Sequence, residues 1–306
     1  MRHRMADSIA NIFFIFISYF FHLAHMPVHY IDFNKQLLPE KETILTGENR
    51  AFRYGDGLFE TMRWMDGDIR FLPHHVSRLQ EGMRLLQLER PATFDASFIR
   101  SRAAELIKKN GLEGQQVRVR LQVYRDGEGL YSPQQNQAAY VMSVSRLDPD
   151  DAKHRKIGLI VDVYSEFRKP YSELAKLKSS NALVYVMAGL YRKKNGLDDV
   201  LILNQEGFLC ESMSSNVFIW YGKKLYTPAL TEGCIDGVMR KVVIEMALEE
   251  GLEVIEAQIH PAIMNQADEI FHTNAIHGVQ WVMGYKQKRY FNRISRMLQE
   301  KLLING

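Results

Sequence analysis

The period of the apolar positions changes repeatedly along the chain, and each change marks an element. "HYIDFNKQLL" alternates weakly and predicts a strand. "LFETMRWMDGDIRFLP" places two apolar segments around Asp66-Gly67, the pattern of a hairpin. In "HHVSRLQEGMRLLQL", Leu79, Met83 and Leu86 share one helical face. "FIRSRAAELIKKNGL" predicts a second helix that stops at Asn110-Gly111. "QQVRVRLQVYRDGEG" and "AAYVMSVSRLD" alternate as strands.

Residues 146–156, "RLDPDDAKHRK", are polar, contain a proline and have the composition of a linker. A second block follows. "IGLIVDVYSEF" predicts a strand, and "NALVYVMAGLYRKKNG" a helix closed by Asn195-Gly196, with Asn181 placed to cap its start. "DDVLILNQEGFLCES" and "NVFIWYGKKLYTP" predict strands with turns at Glu206-Gly207 and Tyr221-Gly222. "VMRKVVIEMALEEGLEV" is an amphipathic helix with its stop at Gly251. "ADEIFHTNAIHGVQWV" predicts a strand and a turn, and residues 285–303 a closing basic helix over the core. The pattern predicts two α+β domains, 26–146 and 153–306, joined by a linker at 147–152. Sites favour such domain interfaces.

The N-terminus departs from this pattern. Arg2 and Arg4 precede "IANIFFIFISYFFHLA", an apolar run broken by Asn11, Ser18 and His22. It is shorter than the ~20 apolar residues of a spanning helix, and "FHLAHM" offers no small-x-small cleavage site. Residues 1–25 are read as an extension outside the fold, with a membrane anchor as the alternative.

Composition narrows the classes. The 39 basic and 36 acidic residues are mixed along the 306-residue chain, so the net charge of +3 leaves no footprint for nucleic acid. Cys210 and Cys234 are too few for a disulfide framework and point to a reducing cytoplasm. They lack the spacing of a zinc site, and His74 and His75 lack further ligands, so no metal is expected.

One stretch raises a chemical question. "KLKSSNALVYVMAGLYRKKNG" sets Lys176 and Lys178 just before an apolar helix. A buried lysine has a lowered pKa, and its neutral amine can attack an aldehyde. Taken alone, a lysine is more often simply solvated. Downstream, Glu211 lies within an apolar strand, where a carboxylate needs a partner such as a pyridinium nitrogen. In "TEGCIDGVMR", Gly233 and Gly237 open a helix whose free N–H groups can attract phosphate.

Together these motifs resemble the class IV, or fold type IV, pyridoxal-phosphate enzymes. That family includes D-amino-acid aminotransferases, branched-chain aminotransferases and aminodeoxychorismate lyase. The matching residues are Lys178 and Asn181, Glu211, Asn216, Val217 and Phe218, Leu225 and Thr227, then Ile235, Gly237, Val238 and Arg240. "YGDGLFETMR" and "HVSRL" match upstream, and the likeness runs over roughly residues 26–285. Met213 stands where the family usually has a small residue.

The resemblance implies a two-domain α+β fold with pyridoxal 5'-phosphate between the domains. It implies that Lys178 carries the cofactor and acts as general base, that Glu211 faces the ring nitrogen, and that Lys176 is solvated. Phosphate would be held by Arg78, the N–H groups of Val238 and Met239, and the Thr273–Asn274–Ala275 turn. It further implies a homodimer.

Branched-chain members often carry tyrosine directly after the asparagine, where this chain has Ala182. The D-amino-acid and lyase branches usually place arginine or histidine where this chain has Leu130 and Tyr131. Arg125, Arg63 and Tyr54 are then the candidates for the substrate carboxylate. The expected activity is transfer of an amino group from a small or apolar amino acid to a 2-oxo acid. Aminodeoxychorismate lyase is the alternative, favoured by "TNAI" at 273–276. An inactive cofactor-holding relative ranks last, because Lys178 and Glu211 are both present. His272, His277, Trp281 and Tyr285 are read as structural.

Overall fold

The computed structural model describes residues 29–42, 44–91, 94–148 and 155–305. The extension at 1–25 and most of the linker at 147–152 lie outside the described residues. Among these residues no helix is long and apolar enough to cross a membrane.

Two sheets organise the chain. The first is antiparallel, in the order β2-β1-β6-β5-β3-β4. Its strands are β1 (Tyr30–Phe33), β2 (Gln36–Pro39), β3 (Gly57–Met65), β4 (Asp68–Ile69), β5 (Val117–Arg125) and β6 (Ala138–Arg146). The short helix α1 (Arg50–Tyr54) precedes β3, and α2 (Leu72–Leu85) and α3 (Ala96–Lys109) complete this part. The Asp66-Gly67 hairpin forms, with both residues at positive φ. The single strand expected over "HYIDFNKQLL" is instead a hairpin. Asn34 and Lys35 turn left-handed, at φ 48° and 75°, and fold β2 back on β1.

Period-two alternation gives this sheet two distinct faces. Leu58 and Met62 of β3, with Val117, Val119 and Leu121 of β5, pack beneath Leu79 and Met83 of α2 and Ile99 and Leu106 of α3. Phe59 and Thr61, with Arg118 and Arg120, occupy the other face, which meets the second half of the chain.

The second sheet runs β12-β11-β10-β13-β14-β7-β8-β9, with β15 paired to β14. Its strands are β7 (Leu159–Lys169), β8 (Asp199–Asn204), β9 (Leu209–Ser212), β10 (Asn216–Tyr221), β11 (Lys224–Pro228), β12 (Val254–Ala257), β13 (Glu269–Asn274), β14 (Gly278–Tyr285) and β15 (Lys288–Arg289). Helices α4 (Leu183–Lys194), α5 (Val238–Glu249) and α6 (Arg293–Asn305) accompany it. Phe218 and Phe271 stack at 5.2 Å beneath Met239, Val243 and Leu298 of α5 and α6. The expected turn after "ADEIFHTN" forms, and it leads into β14.

α4 differs from its apolar sequence in two ways. Ala182 takes the N-cap position and makes no side-chain bond there. Asn181 instead reaches the Gly55 carbonyl at 3.4 Å, tying the helix start to the chain before β3. Of its residues only Ala188 is fully buried, while Leu183, Val186 and Leu190 are exposed.

Candidate active site

A cavity of about 500 Å³ opens between the two sheets. Its floor comes from β3 and β5, and its walls from the Lys178 segment, β9, the start of α5 and the β13–β14 turn. This junction collects chemistry from sequence positions 59 to 277.

Lys178 lies on the extended segment between a 3₁₀ turn, Glu173–Lys176, and α4. Backbone bonds fix that segment against β3: Phe59 N–H donates to the Lys178 carbonyl at 2.9 Å, and Ser180 N–H to that of Gly57 at 2.9 Å. The Lys178 ammonium sits 4.5 Å from the centre of the Phe59 ring. Burial pushes its pKa down to about 8; the Arg78 charge lowers it further, against the opposing pull of Glu60 and Glu211. A group with that value is a free amine above pH 8 and far more often neutral near pH 7 than a solvated lysine is. Lys176, two residues earlier, pairs with Glu173 at 2.7 Å and takes no part.

Glu211 is buried on β9 and lines the cavity. Its Oε1 accepts from Lys169 Nζ at 2.5 Å and from the Tyr185 hydroxyl at 2.7 Å. Oε2 accepts from the Ile235 N–H at 2.9 Å, which leaves that oxygen capacity for one further donor.

Arg78 projects from α2 into a buried cluster. Its Nε and Nη2 grip Glu60 at 2.8 and 2.5 Å, and Nη1 donates to the Asp236 carbonyl at 3.1 Å. His75 approaches the same carboxylate at 2.6 Å. Burial alone would raise the Glu60 pKa, but Arg78 and His75 outweigh it and hold the group at about 2. Glu60 therefore fixes Arg78 in place, with part of its donor fork still facing the cavity.

The far end of the cavity suits a phosphate group. Gly237 precedes α5, and a Cβ there would stand 1.9 Å from Asn216 Oδ1, so bare backbone is required. Val238 and Met239 begin the helix, where N–H groups lack intrahelical partners. Opposite lie Thr273, Asn274 and Ala275. The Thr273 hydroxyl is buried and has no partner, as befits a donor awaiting an anion. These donors fit the phosphate of pyridoxal phosphate, and Lys178 and Glu211 fit its aldehyde and ring nitrogen in chemical type.

The structure does not bring Arg63, Arg125 or Tyr54 into this cavity. Arg125 bonds Asp56, Asn136 and the carbonyls of Gln87 and Leu86, holding the 86–87 and 136 segments to β5. Arg63, further along β3, donates to the Ile276 carbonyl at 2.5 Å and to Gln116. Tyr54 packs against Tyr131 and beneath Arg50. His272 is buried against Asp199 at 2.7 Å, a structural pair, whereas His277 lines the cavity.

Two residues missed in the sequence do line it: Arg118 and Arg120. Arg120 lies 4.1 Å from the Phe59 ring centre and opposite Thr61 across the β3–β5 ladder. Partial desolvation and the neighbouring Arg118 charge lower its pKa. The Nε of Arg118 is buried and unpartnered. The signal was present in "VRVRLQ", whose alternation puts both arginines on one strand face, but only the fold shows what that face meets.

Comparison with known proteins agrees with this architecture. The family model described as amino-transferase class IV matches residues 57–284. Aminodeoxychorismate lyase of Bacillus subtilis is 29% identical over 248 residues, covering 79% of this chain and 82% of the relative. A branched-chain-amino-acid aminotransferase of Pseudomonas aeruginosa is 26% identical over 230 residues, covering 73% and 74%. An aminotransferase from Brucella abortus, solved with pyridoxal phosphate, shares the fold at a TM-score of 0.78 and 22% identity, over 90% of this chain and 97% of that one. The chain belongs to the class IV aminotransferase family, with the two-domain fold type IV architecture. It is an enzyme, and its cofactor is pyridoxal 5'-phosphate.

Proposed function

We propose that this protein transfers an amino group between a small or apolar amino acid and a 2-oxo acid, with Lys178 and Glu211 as its catalytic residues. Bound pyridoxal phosphate supplies an aldehyde and an electron-withdrawing ring. The protein's own groups do the rest. Lys178 would hold the cofactor, and its Nζ would take and return the substrate α-proton. Glu211 Oε2 holds the proton of the ring nitrogen. Arg78, the Val238 and Met239 N–H groups and the Thr273–Asn274–Ala275 turn bind phosphate. Residues 26–146 and 153–306 act as the two domains that enclose these groups, each with its own sheet.

The observation that carries this reading is the placement of Lys178 and Arg120 on one aromatic ring. They lie 4.5 and 4.1 Å from the Phe59 ring centre and both line the cavity, so the proton-moving amine and a carboxylate anchor face the same space. Arg118 and Arg120 take over the role expected of Arg63 and Arg125, because a substrate carboxylate needs a donor fork inside the cavity. Purified holoenzyme should transaminate members of a panel of amino acids with 2-oxoglutarate. Arg120→Leu should raise KM about 10–100-fold, since a charged hydrogen bond is worth roughly 1.5–3 kcal/mol. An unchanged KM would remove Arg120 from the site.

The lyase reading is supported by "TNAI" at 273–276 and by the 29% identity to the Bacillus subtilis lyase. Release of p-aminobenzoate from aminodeoxychorismate, with no turnover of the amino-acid panel, would select it.

A homodimer is supported by the outward apolar stripe of α4, where Leu183, Val186 and Leu190 are 80%, 54% and 57% exposed. That spacing is one helical face without a partner in the single chain. The mass in solution should be twice that of the chain, and a monomer would exclude this assembly. Cys210 and Cys234, both buried and free, support the cytoplasm as the compartment.

A further inference from the structure

We propose that Lys169 and Tyr185 are positioning residues that clamp Glu211, directing its Oε2 to the cofactor ring and favouring the proton on the ring nitrogen. This rests on the proposed role of Glu211. The two side chains come from different elements, β7 and α4, and converge on the same atom, Oε1. Lys169 also packs on the Tyr185 ring, 5.4 Å from its centre, so each holds the other in place.

The backbone is shaped for this convergence. β7 pairs regularly with β8 up to Tyr164 and Ile202, then breaks register and resumes at Lys169 opposite Asn204. Residues 165 to 168 of β7 are exposed, while Lys169 turns back in and is 6% exposed. Such irregularities re-aim a side chain, and this one delivers a cation to β9, where Glu211 pairs with Ile202.

With Oε1 filled by an ammonium and a phenol, and Oε2 holding the Ile235 N–H, one acceptor position remains, on the oxygen available to the cavity. The ammonium and phenol on Oε1 and the Ile235 N–H on Oε2 hold the carboxylate in one orientation, so its remaining acceptor position is aimed at a ring N–H donor. The other titratable neighbours do not compete. Burial pushes the Cys210 thiol well above its ordinary value and the Cys234 thiol to about 12, keeping both neutral. Burial and Glu211 likewise raise Tyr185, which stays a donor. Lys178, Glu232, Asp236 and Arg240 are further charges around this cluster; Glu232 is held by Asn204, Asp236 pairs with Lys241 and Arg240 with Glu256.

The test compares holoenzyme variants Lys169→Met, Lys169→Arg, Tyr185→Phe and, as control, Glu211→Gln. Readouts are the pH titration of the bound cofactor's absorbance, cofactor affinity, and kcat separately from KM. Lys169→Met is expected to lower kcat tenfold or more, to shift the absorbance midpoint by at least half a pH unit, and to leave KM within twofold. Lys169→Arg should restore most of the loss. Tyr185→Phe, which removes only a hydroxyl, should lower kcat threefold to tenfold. If Lys169→Met fails to fold, Tyr185→Phe and Lys169→Arg decide. Folded clamp variants with wild-type kcat and midpoint, beside an altered Glu211→Gln, overturn the clamp alone. A Glu211→Gln enzyme with wild-type spectrum and rate overturns the reading on which it rests.

Discussion

Lys178→Ala is expected to fold, to lose covalent capture of pyridoxal phosphate and to lose at least about 10⁴-fold in transamination rate. On the proposed assignment one group supplies both the attachment and the proton transfer, and proton transfer alone contributes up to about 10⁴-fold. The fold should survive because the segment is held through its backbone, by the Phe59 and Ser180 bonds, not through the ammonium. The truncated side chain vacates part of a cavity already open to solvent. The wild-type protein supplies the pH signature. With its pKa lowered from 10.5 to about 8, Lys178 is protonated below pH 8 and free above it. Capture of cofactor by the apoprotein should therefore slow about tenfold per pH unit below pH 8 and level off above it. A lysine at its ordinary value would still be accelerating at pH 10. Stopped-flow absorbance measures both. Retained capture and turnover in Lys178→Ala would assign the chemistry to another residue.

Glu211→Gln has the second-largest expected effect, and it arises from two sources. The neutral amide cannot hold a proton on the ring nitrogen, so kcat should fall by about 10²–10³-fold with the cofactor still bound. The substitution also strands Lys169, whose ammonium is buried 2.5 Å from the lost carboxylate. Removing one partner of such a pair costs about 3–5 kcal/mol. The melting temperature should drop with kcat, and Glu211→Gln/Lys169→Met should recover stability without recovering rate. Thermal unfolding beside steady-state kinetics separates the two effects. A single variant of wild-type rate would place Glu211 in a purely structural role.

The cluster of Glu60, His75 and Arg78 shows how a structural pair can serve a site. Its members fall in the matched stretches "YGDGLFETMR" and "HVSRL", one on β3 and two on a single turn of α2. Their burial fixes the Arg78 fork where the start of α5 and the β13–β14 turn converge. Gly237 completes that end of the cavity, because the Asn216 amide occupies the space that any side chain would fill.

Local order was legible in the sequence. Alternation and helical spacing located the strands and helices because each element buries one face, and that requirement acts over a few residues. Asp66-Gly67 and Asn110-Gly111 announced turns because positive φ restricts residue choice. The order of the motifs around Lys178, Glu211 and Gly237 identified the family, because the roles proposed for them, a covalent lysine, a ring-facing carboxylate and a bare-backbone phosphate cradle, tolerate few replacements. Tertiary structure alone decided which charged residues share a cavity. Arg63 and Arg125 were as plausible as Arg118 and Arg120 by sequence, and all four lie on two neighbouring strands. The selection depends on which side of the first sheet meets the second, and on which guanidinium groups are consumed by neighbours such as Asp56, Asn136 and the Ile276 carbonyl. Those contacts join residues far apart in the chain, so no local pattern encodes them. The convergence of Lys169 and Tyr185 on Glu211 is of the same kind, set by a register break between strands.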